Sequence, residues 1–370
     1  GVGSIYLKNV AKHRPRKKCQ RELGMATATE RVQGKAQRAT SGGFHTLTGV
    51  QMLAIGAFAP EEIVRNQDLA ELGYDEGWIV QRTGIRERRR APANMASSDV
   101  ALEASRRCLE KAGLTADDIG LILVATTTPD TPIPSTACHL QRLLGAKAPA
   151  MDLNAACSGF VFALVTAAQY VKTGFCQNAL VVGVDLMTRL VNPEDHKTFP
   201  LFGDGAGAAL VGPGNAEQGF LAYTLGSDGK GADMLHTPAG GTREPLTAES
   251  LAKKRQFLQM EGRLVFRWAV RMVADSIVDV LQEARVAPNE LDLIALHQAN
   301  IRIIDAVVDD LDVDRDKVFV NVDRYGNTSA ASIPLVLDEA HAQGRISAGD
   351  MVMMSGFGAG LTWGTALFRW

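Results

Sequence analysis

Four short stretches of the chain are apolar at every position: LILVA (121–125), ALVVGV (179–184), LIAL (293–296) and MVMM (351–354). Unbroken apolarity over so few residues, bounded by small or polar ones, predicts strands buried on both faces. Two longer runs, GFVFALVTAAQYVKTG (159–174) and IRIIDAVVDDL (301–311), have the length and spacing of helices. The pattern predicts an α/β protein whose sheets are covered by helices on each side. No apolar run approaches the ~20 residues needed to span a bilayer.

The elements recur. CLEKAGLTADDIGLILVATTTP (108–129) and LQEARVAPNELDLIALHQAN (281–300) share one plan at an offset of 172 residues. Each is a helix end, an acidic loop, a buried strand and a small or polar strand exit. CSGFVFALVTAAQYVKTG (157–174) matches NTSAASIPLVLDEAHAQG (327–344) at an offset of 170, and FGDGAGAALVG (202–212) answers GFGAGLTWGTALF (356–368). Three matches in one order predict a duplicated α/β unit, with halves at residues 49–220 and 221–370.

Composition narrows the function classes. With 46% hydrophobic and 22% charged residues and a net charge of -2, the chain has the make-up of a globular protein, and neither nucleic acid nor a membrane surface is expected as its partner. Five scattered cysteines (19, 108, 138, 157, 176) form no CxxC pair, which suits a reducing cytoplasm. Residues 1–48 differ from the rest. KHRPRKKCQR and its surroundings are basic, without periodicity or an apolar signal region, and read as a flexible or non-native arm with Met25 or Met52 as the natural start. The fold is expected to begin near Gly49.

Candidate chemistry gathers at the repeated strand exits. Cys157 stands between alanines and Ser-Gly at the start of a helix, where free N–H groups favour thiolate and lower the pKa. Asp152, Asn154 and Ser158 are placed to brace its turn. Under the 170-residue offset Cys157 falls on Asn327, so the two occupy equivalent loops that a pseudo-twofold pairing brings together. His297, at the exit of LIALHQAN, is the third candidate. Each alone has a plain structural reading: a buried thiol, a satisfied core histidine, a helix cap. Together they make a nucleophile with two neutral hydrogen-bond donors.

The glycine clusters GDGAG and GFGAG do not fit GxGxxG and read as tight turns, the second presenting a backbone N–H toward Cys157. DLDVDRDKV (310–318) lacks the glycine and glutamate of a calcium loop, and the histidines have no metal spacing, so no metal site is expected.

DEGWIVQRTGIRERR, AACSGF, FGDGAGAA, HQANIRII, GNTSAASIP and GFGAGLTWG resemble the β-ketoacyl-acyl-carrier-protein synthase III family of thiolase-like condensing enzymes, over about residues 49–370. The resemblance implies a duplicated five-layer αβαβα fold and a cytoplasmic homodimer. It also implies an acyltransferase that primes fatty-acid synthesis. Cys157 takes the acyl group of an acyl-CoA, and His297 and Asn327 promote decarboxylation of malonyl-acyl-carrier protein. The products are 3-oxoacyl-acyl-carrier protein, CoA and CO2, with CoA a substrate and no cofactor. Chain-elongating relatives carry a second histidine where Asn327 stands, and thiolases a second cysteine near the terminal glycines.

The same resemblance assigns the backbone N–H groups of Cys157 and Ala359 to an oxyanion hole and Trp78, Arg82 and His196 to the adenine side of CoA. Gly262 and Asn300 fall to pantetheine, Ile133 to the partner subunit's primer pocket, and Arg267 and Arg302 to carrier docking. His196 stands where a well-known bacterial pattern has arginine. Asp305, Asp309 and Asp310 replace the usual docking lysines, so carrier docking is expected to be weaker or to rely on other basic residues such as Arg263 and Arg271. Three other readings stay open: a specialised condensing or acyl-transfer enzyme of secondary metabolism, a cysteine hydrolase, and a non-catalytic relative.

Overall fold

The computed structural model describes residues 43–370. Two five-stranded sheets dominate. The first has the order β2-β8-β7-β5-β6, built from β2 (Val50–Phe58), β5 (Leu121–Ala125), β6 (Ala150–Leu153), β7 (Ala179–Leu186) and β8 (Asp204–Pro213). The second has the order β1-β9-β14-β13-β12, built from β1 (His45–Thr48), β9 (Gly219–Ser227), β12 (Leu293–Leu296), β13 (Met351–Gly358) and β14 (Thr362–Arg369). β5 runs parallel to β6 and β7, and β12 parallel to β13; the other pairings are antiparallel.

The unbroken apolar runs follow from burial on both faces. Leu121, Leu123 and Ala125 join Val352 and Met354 in a central core, while Ile122 and Val124 turn to an outer core with Leu180 and Val182. In the second sheet Ile294, Leu296 and Met353 face the opposite outer core. Two helices, α4 (Gly159–Lys172) and α9 (Ser332–Ala342), lie in the middle. α2 (Ser97–Ala112) and α3 (Thr136–Leu144) cover the first sheet; α6 (Gly262–Ala284) and α7 (Ile301–Leu311) cover the second. Helix, sheet, helix, sheet, helix is the expected five-layer arrangement. The smaller elements are β3 (Glu62–Arg65), α1 (Glu76–Thr83), β4 (Glu87–Arg90), β10 (Leu235–His236), α5 (Ala248–Ala252), β11 (Gln259–Met260) and α8 (Val322–Tyr325).

The fold begins before Gly49, because β1 pairs with β9 and buries Leu47; the arm's first 42 residues lie outside the described region. The register between halves is 173 residues across the turns that hold Cys157 and Asn327 rather than 170. Ala156 and Ser329, 173 apart, both have positive φ (48° and 51°), and each opens a 3₁₀ turn, Ala156–Ser158 and Ser329–Ala331. Asn154 Oδ1 accepts from Ala156 N–H (3.2 Å) as Asn327 Oδ1 does from Ser329 N–H (2.9 Å). Asn327 is therefore the counterpart of Asn154, and Cys157 that of Ala330.

Glycines let the halves interlock. A Cβ on Gly183 of β7 would lie 2.3 Å from Ala330 O, and one on Gly356 of β13 would lie 3.2 Å from Cys157 O. Each half's central strand thus seats the other half's turn. GDGAG is not a turn: Gly205 and Gly207 lie within β8, where Gly207 pairs with Gly183 and abuts Pro334. Its counterpart is Gly364, paired with Gly356 and abutting Val161, so the third sequence match was misaligned.

Candidate active site

Cys157, His297 and Asn327 line one cavity of about 870 Å³, shared with Ala359, Gly262 and Asn300. Met187, Leu201, Phe202, Leu235 and Leu258 supply apolar wall. Trp78, Arg82, His196, Ile133, Arg267 and Arg302 lie outside this cavity. Trp78 is 42% exposed on α1 with the Arg82 guanidinium 5.8 Å from its ring centre. His196 stacks on Tyr74 at 4.2 Å, so one ring face is already covered. Arg267 and Arg302 are exposed, Arg302 lying over Phe266, which does line the cavity. Ile133 is 87% exposed at the surface.

Cys157 sits in the 3₁₀ turn that runs into α4. Ser158, Thr362 and the carbonyls of Ala155 and Ala359 form a hydroxyl-centred cluster at 2.7–3.0 Å that ties this turn to the loop after β13. Asp152, expected to brace the same turn, instead caps α3 through Thr136 and Ala137 N–H (both 2.8 Å). A Cβ on Gly358 would stand 2.7 Å from Cys157 N, so only glycine lets the Ala359 loop approach the nucleophile this closely. The lowered thiol pKa expected from the helix terminus is overturned. Burial pushes the Cys157 thiol up to about 12, outweighing a hydrogen bond with Ser329 that favours thiolate. At neutral pH Cys157 is a protonated thiol.

His297 leaves β12 with its ring edge-to-face against Phe357, centroids 5.2 Å apart. Its Nδ1 lies 2.6 Å from Ser332 Oγ. Gln298 N–H donates to that oxygen (3.3 Å), which leaves the Ser332 hydroxyl free to donate to Nδ1 in the tautomer that carries the ring proton on Nε2. Burial pushes the His297 pKa down to about 3, keeping the imidazole neutral. Nε2–H is a donor without charge. Asn327 is held as firmly. Its N–H donates to Leu201 O (2.8 Å), its carbonyl accepts from Gly203 N–H (3.1 Å), and its Oδ1 is engaged by Ser329, leaving the amide Nδ2 for a ligand.

Sequence reasoning passed over Ser332, Ser329 and Phe357, although each lies within a quoted motif. It also missed Asp185, fully buried at the end of β7. Asp185 Oδ1 accepts from Thr127 N–H (2.7 Å) and neighbouring threonines, while Oδ2 accepts from Ala330 N–H (3.1 Å), joining the halves behind the site. Among the described residues, no group of three or more His, Cys, Asp or Glu side chains is placed to hold a metal. Nor is any helix long and apolar enough to cross a membrane.

Comparison with known proteins bears on this geometry. Residues 151–229 match the family model for 3-oxoacyl-[acyl-carrier-protein] synthase III, and residues 281–370 match the model for its C-terminal part. β-Ketoacyl-[acyl-carrier-protein] synthase III of Rhodopirellula baltica is 56% identical over 342 residues, covering 88% of this chain and 99% of that one. The Desulfitobacterium hafniense enzyme of the same name is 45% identical, covering 88% and 98%. Among solved structures, 3-oxoacyl-[acyl-carrier-protein] synthase III of Aquifex aeolicus superposes with a TM-score of 0.81 at 38% identity, covering 87% of this chain and all of that one. The priming β-ketosynthase of the R1128 polyketide pathway superposes with a TM-score of 0.81 at 35% identity, covering 88% and 97%.

Proposed function

The chain belongs to the β-ketoacyl-[acyl-carrier-protein] synthase III family, the condensing acyltransferases that prime fatty-acid synthesis, and on that premise we propose how Cys157, His297 and Asn327 divide the reaction. The carrying observation is that all three line one cavity; burial favours a neutral His297, and its proton is assigned to Nε2. Cys157 attacks the thioester carbon of an acyl-CoA. The new S–C bond forms as the carbonyl electron pair moves to oxygen, and collapse of that tetrahedral oxyanion breaks the C–S bond to CoA, which leaves as the thiol with the proton the cysteine gave up. The backbone N–H groups of Cys157 and Ala359 hold the tetrahedral oxyanion, a donor of this kind contributing ~3 kcal/mol.

Malonyl-acyl-carrier protein enters next. His297 Nε2–H and Asn327 Nδ2–H donate to its thioester oxygen. As CO2 leaves, the bond's electron pair is received as an enolate on that oxygen. Neutral donors suit this step, since they strengthen as charge develops without trapping the malonyl carboxylate beforehand. The enolate carbon attacks the acyl-Cys157 carbonyl, the same oxyanion hole serves again, and collapse releases 3-oxoacyl-acyl-carrier protein and the Cys157 thiolate, which takes one proton from solvent to restore the resting thiol. No step calls for a metal or redox cofactor.

The surface residues take the finer roles: Trp78, Arg82 and His196 for the nucleotide of CoA, Gly262 and Asn300 for pantetheine, Arg267 and Arg302 for the carrier. A homodimer accounts for Ile133 and for β6, an edge strand whose Met151 is 39% exposed. A specialised primer or acceptor is the second reading, favoured by the acidic outer face of α7, where Asp305 pairs with Arg315 at 3.3 Å.

Intact-protein mass spectrometry with a panel of acyl-CoAs tests the proposal. A gain of one acyl group, absent from Cys157→Ala and discharged as 3-oxoacyl-carrier protein on adding malonyl-carrier protein, is expected. Hydrolysis of the acyl group without a condensation product refutes it.

A further inference from the structure

Arg88 in β4 lines none of the cavity that holds Cys157, yet it is 3% exposed and makes no ion pair among the described residues. Burying a guanidinium without a carboxylate is costly unless its donors are satisfied. The terminal nitrogens of Arg88 are held by neutral acceptors on separate segments: Val64 O (3.0 Å), Asn66 Oδ1 (2.8 Å) and Pro200 O (2.8 Å). Its Nε is buried without a partner, and Asp68 and Glu87 attract the group only beyond ion-pair distance. The Val64 bond joins β4 to its neighbour β3, and Asn66 is itself fully buried, its amide donating to Ile85 O (2.7 Å).

Pro200 is the informative partner. The next residue, Leu201, accepts Asn327 N–H, and Gly203 donates to the Asn327 carbonyl, so residues 201–203 clasp the Asn327 backbone on both sides. The Arg88 stem closes the same clasp from behind. A Cβ on Gly203 would lie 3.0 Å from Arg88 Cβ, and one on Gly326, where φ is +65°, would lie 3.4 Å from it. The head of Arg88 fixes the start of the clasp and the stem supports both its strands. The Cys157 turn has backbone supports of its own, Gly356 and Gly358 beneath it, Asn154 and the Ser158–Thr362 cluster at its side, and meets the Asn327 loop through the Ser329 hydrogen bond to the thiol.

We infer that Arg88 is a positioning residue for Asn327, setting the amide where the enolate oxygen forms without touching substrate itself. The inference rests on the role proposed above for Asn327, and it separates the two half-reactions. Loss of Arg88 should disturb decarboxylation and leave acyl transfer to Cys157 nearly intact.

The test uses the full chain with Arg88→Met, Arg88→Lys and Gly326→Ala, the last attacking the clasp from the Asn327 side, where a new Cβ would meet Leu201 O at 2.9 Å. Acyl transfer from acetyl-CoA is followed by intact mass, and decarboxylation of malonyl-carrier protein by CO2 release. In Arg88→Met and Gly326→Ala, acyl transfer should stay within about threefold of wild type while decarboxylation falls at least about tenfold, with kcat rather than KM carrying the loss. Arg88→Lys, which keeps the charge and can reach one acceptor, should recover part of it. Should Arg88→Met fail to fold, the other two decide by the same criterion. Equal losses in both half-reactions, or normal decarboxylation in folded variants, overturn the inference. A wild type that forms acyl-Cys157 but never decarboxylates malonyl-carrier protein overturns the proposed function and this inference with it.

Discussion

Ser332 offers the sharpest probe of how the enolate is stabilised. Both it and His297 are buried, and Ser332 Oγ is the one partner of Nδ1 among the described residues, at 2.6 Å. Replacing it by alanine removes the donor that keeps Nδ1 unprotonated. The imidazole is then free to carry its proton on Nδ1, which turns Nε2 from donor to acceptor and sets a lone pair against the developing negative charge. Leaving a buried polar atom unpaired costs about 1–3 kcal/mol. If that whole cost falls on the transition state, decarboxylation slows about 5- to 150-fold. Acyl transfer uses the Cys157 and Ala359 N–H groups and should change little. CO2 release from malonyl-carrier protein, measured beside the mass-spectrometric acyl transfer, reads the two steps separately. Unchanged decarboxylation in a folded Ser332→Ala variant would refute the tautomer argument, and so would an equal loss of acyl transfer.

The other expectations follow from burial and close approach. His297 is held near pKa 3 when folded, below its ordinary 6.5. The unfolded chain therefore takes up this proton first as pH falls, costing up to about 1.4 kcal/mol per pH unit between 6.5 and 3 and nothing above 6.5. His297→Gln should accordingly lose less melting temperature than wild type on acidification through that window; parallel curves would contradict the burial account. Because the Cys157 thiol is pushed up to about 12, iodoacetamide at pH 7 should label exposed Cys138 well before Cys157 by peptide mapping, and the reverse order would show a thiolate at rest. Gly358→Ala should slow acyl transfer by about 10²–10³-fold, the cost of losing one oxyanion donor, because its Cβ would meet Cys157 N; a normal rate would remove the Ala359 loop from the mechanism. Asp185→Ala leaves several buried donors unpaired at the junction of the halves and should cost about 3 kcal/mol or more in urea unfolding. A shift under ~1 kcal/mol would show that the junction is held by packing alone.

The layered fold was legible because strands buried on both faces leave an unmistakable apolar run, and the chain contains that run twice over. The proposed trio was legible because Cys157 and His297 follow buried strands, whereas Asn327, read as a strand exit too, follows the short helix α8. What hid the true register was backbone conformation. The positive φ of Ala156 and Ser329 has no signature in residue type, whereas a Cys-Ser/Asn-Thr alignment looks natural three residues away. β1 escaped notice because four residues of mixed polarity carry no period. The thiol's pKa was misjudged because a helix terminus can be read from sequence, while the enclosure of Cys157 is made by loops distant in the chain. Ser332 and Arg88 act through partners 35 and 112 residues away, distances that no local pattern reports.

The corrected register changes what kind of object the site is. One ancestral turn, an asparagine two residues ahead of a left-handed position, is used twice for opposite purposes. In the first copy Asn154 is the brace and the reactive atom sits three residues on, at Cys157. In the second copy Asn327 is itself the reagent and the third position, Ala330, is chemically silent. Gly183 and Gly356 make each copy a mould for the other, so neither half contains a finished centre by itself. A chain separated between Pro213 and Gly219 would leave each fragment with one turn and without the strand that seats it, so neither could hold Cys157, His297 and Asn327 together.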